Sequence, residues 1–504
     1  MARRVAGACL LLTIACRPPA APPVLRVAMP WELTSLDPHV SDTTGTYTVL
    51  GNVYEPLVVA DPGLGLRPGL ARRWYNPDPL TWMFDLDSEA RFHSGKRLEA
   101  ADVVYSIKRI LADTQFDMRY FLGDVAEVEA AGPLAVRLRL RRPSPILLNK
   151  LGHVYIVPAG ATRETLDRDA DGTGAFRVVA WQSNRRLELA AAGGRRSRAS
   201  VARIQLLLSA SPEAGARLLL AGEADKALLG LTAAAAALPP SEFAQHRRPS
   251  LQVKYLGFDL RPVAAHGRRA GPEIYRDRRV REAIHLAIDR KALVTGLPSH
   301  AAPVNQLVPR HVFGFATELP ELHADRERAR SLLSEAGVGR GFAATLHTRQ
   351  VLEEAARLVA EQLKTLGIDV RLIVLPDAEY FPVFARREPS LWLDRFVCTT
   401  GDSAELFENV FRSPDRRAGL GAFNETGFSD ALLDAEIDAA LTLENLPRRR
   451  AALAGVMRRV MKELPWIPLY TDAEVWALRR SFVWKPSSDY WLQFAEVVPA
   501  PGGR

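Results

Sequence analysis

The chain has 504 residues, 47% of them apolar and 25% charged. Those fractions are ordinary for a globular protein and exclude a disordered chain, a collagen-like repeat and a disulfide-stapled mini-protein. At roughly 100–200 residues per domain, the length allows about three domains. The 66 Lys+Arg against 58 Asp+Glu give a formal net charge of +8, and nine of the basic residues are Lys. They are scattered among acids, with no run of five or six like charges. Net charge alone is a weak argument for a nucleic-acid partner, so none is expected.

The N-terminus reads as a targeting segment. Arg3 and Arg4 precede an apolar run from Val5 to Ile14. That run is too short to span a bilayer, which takes about 20 residues, and has the proportions of a signal-peptide core. Thr13-Ile14-Ala15-Cys16 then resembles a bacterial lipobox, with Thr13 where Leu is usual. Residues 1–15 are expected to be a signal peptide, and Cys16 to become the lipidated first residue. The alternative is a plain secretory signal with an incidental Cys. The Pro-rich stretch 17–23 would make residues 16–23 a stiff tether. Once Cys9 is removed and Cys16 is acylated, Cys398 stands alone and no internal disulfide is possible.

The body alternates strands and helices. Leu25 to Met29 and Thr81 to Leu86 alternate as strands do, and Asp102 to Leu111 carries Val104, Ile107 and Leu111 on one helical face. The Ala-rich stretch Leu231 to Pro240 reads as either a helix edge or a loop. Asp277 is placed to cap a helix with Val280, Ala283, Ile284, Ala287 and Ile288 inward, and Asp325 to open another that Gly337 ends. Phe342 to His347, Val351 to Leu366 and Ile368 to Leu375 predict a strand–helix–strand unit with parallel strands, Gly367 closing the helix. Ser429 is expected to open one helix, and Pro447 to sit in the first turn of the last long one.

No motif carries a reaction. Walker, HExxH, GxSxG and CxxC patterns are missing, and no nucleophile–base pair is proposed. Neither a cofactor nor a metal is expected. The glycines at 63–69 include Pro68 and precede no helix, and His93 reads as a structural turn residue.

Several segments together resemble one family. Pro68 to Trp74 is similar to P-x-LA-x-x-W. Arg91-Phe92-His93-Ser94-Gly95-Lys96 followed by Ala101 to Ser106 is similar to F-H-x-G-K…A-x-DV-x-x-S. Gly172 to Phe176 resembles GTGPY, and Gly222 to Asp225 resembles GEVD. Asp277 to Arg290, Leu333 to Gly337, Asn424 to Ser429 and Pro465 to Leu469 match further signatures. The chain thereby resembles the family-5 extracellular solute-binding proteins of bacterial ABC importers for peptides and nickel, over nearly all of residues 24–485.

That resemblance implies an α/β, class II periplasmic-binding-protein fold with two hinged lobes plus an extra domain. Residues 24–50, 172–262 and 470–504 would form lobe I, 51–171 the extra domain and 263–469 lobe II. The function implied is capture of a peptide-like solute in the interlobe cleft and delivery to an inner-membrane permease, with no chemistry on the solute. The protein would be a periplasmic or cell-surface monomer, lipid-anchored to a membrane. A non-peptide solute is the alternative: an oligosaccharide, an opine-like compound or a nickel chelate. A secreted hydrolase would need a motif that is missing.

The resemblance also nominates ligand-binding residues. Tyr54 and Glu55 lie near the cleft in the family, and Asp259 stands where the family has Asn. Arg395 to Ser403 aligns with a ligand loop of the form G-W-x-x-D-Y-x-D/E-P. Its Trp falls at Phe396, and the Asp that pairs with a peptide amino terminus falls at Thr399. Thr399 supplies no charge. A one-residue slip would put Asp402 in that role, and Trp392 and Cys398 complete the candidate set.

Overall fold

The computed structural model describes residues 24–501, apart from 42, 62–63, 194–198, 209, 230–235, 263–272, 298–299, 416–419 and 486–491. The expected signal peptide, Cys16 and most of the Ala-rich stretch lie outside the described residues. Two large sheets organise the chain. The first has seven strands, in the order Phe243–Pro249, Ala473–Arg479, Lys226–Leu228, Val24–Ala28, Arg203–Leu207, Arg186–Ala191 and Phe176–Gln182. Val24–Ala28 runs parallel to both neighbours. Its alternation places Leu25 and Val27 in the core, as a period of two requires.

The second sheet has six strands, in the order Ala302–Pro303, Trp466–Thr471, Gln252–Phe258, Leu391–Val397, Phe342–Arg349 and Ile368–Leu375. The strand–helix–strand unit is present: Phe342–Arg349 pairs in parallel with Ile368–Leu375 across helix Glu353–Lys364. That helix buries Ala355, Ala356, Val359 and Leu363, and Gly367 turns the chain with a φ of 77°, which glycine adopts without a Cβ clash.

Helix caps follow local chemistry. The Asp277 side chain accepts from Arg279 N, and that of Asp325 from Arg328 N. The helix expected from Ser429 is capped instead by Asp430, whose carboxylate accepts from Leu432 N and Leu433 N. Ser429 is diverted by its hydroxyl, 2.8 Å from that of Ser413. Asn445 caps helix Leu446–Glu463, with Pro447 in its first turn. Asp102 lies inside the first turn of helix Ala100–Ala112, where it accepts from Glu99 N.

A smaller antiparallel sheet holds Ala71–Asp78, Thr81–Leu86, Ala135–Leu140 and Val125–Gly132, with helix Ala100–Ala112 against it. Its core is continuous with that of the seven-stranded sheet.

The chain passes between the two large sheets at two neighbouring points. Phe243–Pro249 ends in the first sheet and Gln252–Phe258 begins in the second; Trp466–Thr471 and Ala473–Arg479 do the reverse. The two crossings are tied together. Ser250 N donates to Asp472 O at 3.3 Å, Lys254 Nζ lies 2.5 Å from Asp472 Oδ1, and Thr471 Oγ1 donates to Gln252 O.

Candidate functional site

The loop after strand Leu391–Val397 meets the segment that follows the small sheet. Asn149 Nδ2 donates to Thr400 O at 2.9 Å across this junction. A small pocket lies there, walled by Leu64, Leu66, Asn149 and His153 on one side and Thr399 and Thr400 on the other. Gly401, with a φ of 70°, sits against Leu64. His153 is buried, and desolvation pulls its pKa down to about 4, so it faces the pocket neutral.

Three buried acids follow the loop, each with a different partner. Asp402 takes Arg449 in a two-point contact of 2.6 and 2.9 Å, and its Oδ1 also accepts from Ala404 N. Its charge is already neutralised, so the slipped alignment that would offer Asp402 to a ligand ammonium gains no support here. The Glu405 Oε1 accepts from Thr399 Oγ1 at 2.7 Å, and Oε2 accepts from Thr400 N and Thr400 Oγ1 at 2.8 Å. Burial pushes its carboxyl up to about 7, against those hydrogen bonds. Glu408 lies in a π-helical turn, Phe407–Phe411. It meets Arg142 and Lys150, which also hold Asp124.

The remaining candidates fall elsewhere. Trp392 is 1% exposed and lies edge-on to Phe384 at 5.3 Å between centroids. Gly257 gives it room: a Cβ there would lie 2.3 Å from the indole. It is a core residue with no face to offer a solute. Phe396 is half-buried beside Trp466. The Cys398 thiol is buried, donates to Asp402 O at 3.1 Å and is pushed up by desolvation. Asp259 Oδ1 accepts from Arg261 N and Nε, so that carboxylate too has a cation. Tyr54 is buried with its hydroxyl donating to Leu36 O. With half-buried Glu55 it lines a different, open cleft of about 960 Å³, walled also by Arg67, Arg72, Arg91 and Glu496. His93 is the expected turn residue, its N donating to Gly172 O and its Nε2 against Gly174 O.

The structure therefore joins Thr399 and Cys398 to residues that the sequence reading did not select: Glu405, Glu408, Arg449, Lys150 and Asn149. The spacing of Asp402, Glu405 and Glu408 beside Ala404, Leu406 and Phe407 was the available signal. Charged residues three apart on a buried segment need partners.

Two large mixed sheets with paired crossings define a two-lobed α/β binding-protein fold. The family profile "Bacterial extracellular solute-binding proteins, family 5 Middle" matches residues 65–417. The chain belongs to that family. It is 23% identical over 482 residues to the glutathione-binding protein GsiB of Salmonella paratyphi A, covering 92% of each chain. The fold is similar to that of the periplasmic binding protein DppA from Helicobacter pylori in complex with peptide STSA. The TM-score is 0.83 at 19% identity, over 95% of this chain and 98% of that one. It is also similar to AgaA from A. tumefacien R10 in complex with agropinic acid, with a TM-score of 0.79 and 20% identity over 95% and 99%. Members of the family are binding proteins of transport. Among the described residues, no helix is long and apolar enough to cross a membrane.

Proposed function

We propose that the chain captures a peptide-like solute in the cleft between its two lobes and hands it to an ABC permease, leaving the solute chemically unchanged. The observation that carries this reading is the junction at Thr399 and Thr400, where a loop of the second lobe closes against Leu64, Asn149 and His153. A solute held there touches both bodies, so binding favours the closed arrangement. The glutathione- and peptide-binding relatives support the peptide class.

In this reading the seven-stranded sheet forms lobe I, the small sheet the extra domain and the six-stranded sheet lobe II. The hinge is the pair of crossings at 249–252 and 471–473. Cys16 carries lipid and holds a monomer to a membrane outside the cytoplasm. The runner-up is a non-peptide solute of the opine, oligosaccharide or nickel-chelate kind. It is favoured by the ion pairs that already occupy Asp402 and Asp259.

A thermal-shift panel of short peptides, glutathione, agropinic acid and nickel–histidine tests the assignment. A shift with peptides supports it, and a shift confined to the other compounds replaces it with the runner-up.

A further inference from the structure

We propose that the open cleft walled by Arg67, Arg72 and Arg91 is a second binding site, separate from the pocket at Thr399, for the anionic phosphate group of a phospholipid headgroup or of a soluble phosphate ester. The inference goes beyond solute capture. Among the described residues, none from the six-stranded sheet lines this cleft, so the site does not depend on the hinge.

Three observations carry it. First, the cleft has room and uncommitted positive charge. Its volume is about 960 Å³, within the range of small-molecule sites, about 300–1,000 Å³. Arg72 and Arg91 are exposed and have no ion pair among the described residues, whereas neighbouring Arg73 takes Asp85. Glu55, Asp87, Glu89 and Glu496 line the cleft as well. The first three have partners of their own; the Asp87 carboxylate, for one, accepts from Glu89 N. Glu496 is offset by Arg67, whose charge pulls its carboxyl down against the upward push of burial. Two guanidinium groups are left without a counter-charge among the described residues, which favours an anion.

Second, the backbone sets both groups in place. Arg72 is the extra residue of a β-bulge, since Ala71 pairs with Leu86 and Arg73 with Asp85. A bulge interrupts the alternation of a strand and re-aims a side chain. Arg91 stands at the base of a tight turn, bridged to Arg97, with Gly95 at a φ of 90°. Backbone fixed in this way spares part of the ordering cost of binding. Beside them Thr173 is 8% exposed, and its hydroxyl has no partner among the described residues. It keeps a proton to donate at the cleft wall. A phosphate group presents oxygens in several directions and can meet guanidinium forks from separate segments at once.

Third, the cleft reaches the end of the first sheet at which the N-terminal segment enters. Ala192 N donates to Ala175 O at 2.9 Å, and both residues line the cleft. At the same end, Ala190 pairs with Arg203 and Arg203 with Val24. Neighbouring strands lie about 4.8 Å apart, which puts Val24 about 10 Å from Ala190. Cys16 precedes Val24 by eight positions, at most about 28 Å of extended chain. A lipid on Cys16 would hold this end of the sheet near a bilayer surface. The preference for a phospholipid source rests on that anchor; the phosphate site itself does not.

The test uses the full-length chain with Cys16→Ser, so that no acyl group tethers it. Binding is measured by flotation with vesicles of mixed phosphatidylglycerol and phosphatidylcholine, by flotation with phosphatidylcholine alone, and by calorimetric titration with glycerol phosphate. Expected is binding to the phosphatidylglycerol vesicles, to glycerol phosphate or to both, with none to phosphatidylcholine alone. Vesicle binding names the lipid as the source, and glycerol phosphate binding names a soluble ester. Arg72→Gln/Arg91→Gln should weaken binding about tenfold or more, through the loss of charge-assisted hydrogen bonds. Arg326→Gln/Arg448→Gln, at exposed positions outside the cleft, should leave it unchanged. Equal weakening by the two double variants would assign the attraction to overall positive charge and overturn the inference. Unchanged binding in a folded Arg72→Gln/Arg91→Gln, equal flotation with both vesicle types without glycerol phosphate binding, or wild-type binding to neither probe would also overturn it. No solute enters these measurements. The thermal shift with peptides should be the same in Arg72→Gln/Arg91→Gln as in the wild type, so a failure of solute capture is read separately.

Discussion

Lys150 Nζ lies 2.8 Å from Glu408 Oε2, and both side chains are almost fully buried where helix Leu147–Leu151 meets the π-helical turn Phe407–Phe411. Lys150 also holds Asp124 Oδ2 at 2.8 Å, and Arg142 bridges the same two acids. Two cations against two carboxylates leave the cluster neutral. Desolvation alone would discharge Lys150, yet the carboxylates beside it raise its pKa. Attraction wins because the partners are close and shielded from water.

Glu408→Gln leaves the two cations facing only Asp124. Breaking a buried pair from one side typically costs about 3–5 kcal/mol. Urea unfolding at pH 7 should show a loss in that range. The double variant Lys150→Met/Glu408→Leu should recover part of it, because no buried charge is then stranded. Additive losses would show that the pair carries no coupling.

Asp402 and Arg449 make a second prediction. Their two-point contact and the Ala404 cap are structural. Asp402→Asn should therefore destabilise the fold by about 3 kcal/mol or more. In the folded fraction, the ratio of affinities for free-amine and acetylated peptides should stay unchanged. Loss of that preference would return Asp402 to the role of ligand anchor.

Lys226 is a buried amine whose Nζ has no hydrogen-bond partner among the described residues. It lies 3.2 Å from the centroid of the Trp484 ring and 4.8 Å from that of Trp476. Burial, helped by nearby Arg248, depresses its pKa well below the usual value. The folded state then holds the amine neutral, and the unfolded state takes up a proton. Stability from this site is present above the unfolded lysine pKa and is lost as pH falls toward the folded value. Lys226→Met should raise the urea midpoint at pH 7, by the equivalent of about 1 kcal/mol or more. A lowered midpoint would mean that the contact with the two Trp rings outweighs desolvation.

Acid should unfold the protein through its buried histidines. His39 donates from Nε2 to Tyr155 O, and its Nδ1 accepts from Arg109. That arrangement needs the neutral ring, with a pKa of about 4. His153 is also lowered to about 4, and His285 to about 3. Each folded value lies below the unfolded one, so their contribution is complete above about pH 6.5 and declines as pH falls toward 4. At 1.36 kcal/mol per unit, His39 and His153 each represent about 3 kcal/mol and His285 about 5 kcal/mol. Glu405 has the opposite sign: its raised pKa adds about 3 kcal/mol as pH falls from 7 to 4.5. Three histidines outweigh one glutamate, so the thermal midpoint should fall steadily from pH 7.5 to 5. A midpoint rising over that interval would contradict the account.

The fold was legible in the sequence where periodicity and caps were local. Phe342 to Leu375 read correctly because alternation, helical spacing and Gly367 all agreed. Ser429 misled because two adjacent polar residues could each cap a helix, and a distant Ser413 decided between them. The site was less legible. Trp392 stood in the candidate ligand-binding set, but its surroundings depend on Gly257 across the sheet. Asp402 looked like an anchor until Arg449, 47 positions away, took its charge. Long-range partners of this kind leave no trace in local pattern. Thr399 was correctly flagged as unable to supply charge; Glu405 behind it becomes visible only once the loop is folded.

Small-angle scattering tests the central claim of capture by closure most directly. A peptide that raises the thermal midpoint is titrated to saturation, as followed by calorimetry, and the radius of gyration is measured at each point. The account predicts a smaller radius in the saturated protein, because a solute at Thr399 and Thr400 touches both bodies and favours their approach. An unchanged radius across a saturated titration would contradict it.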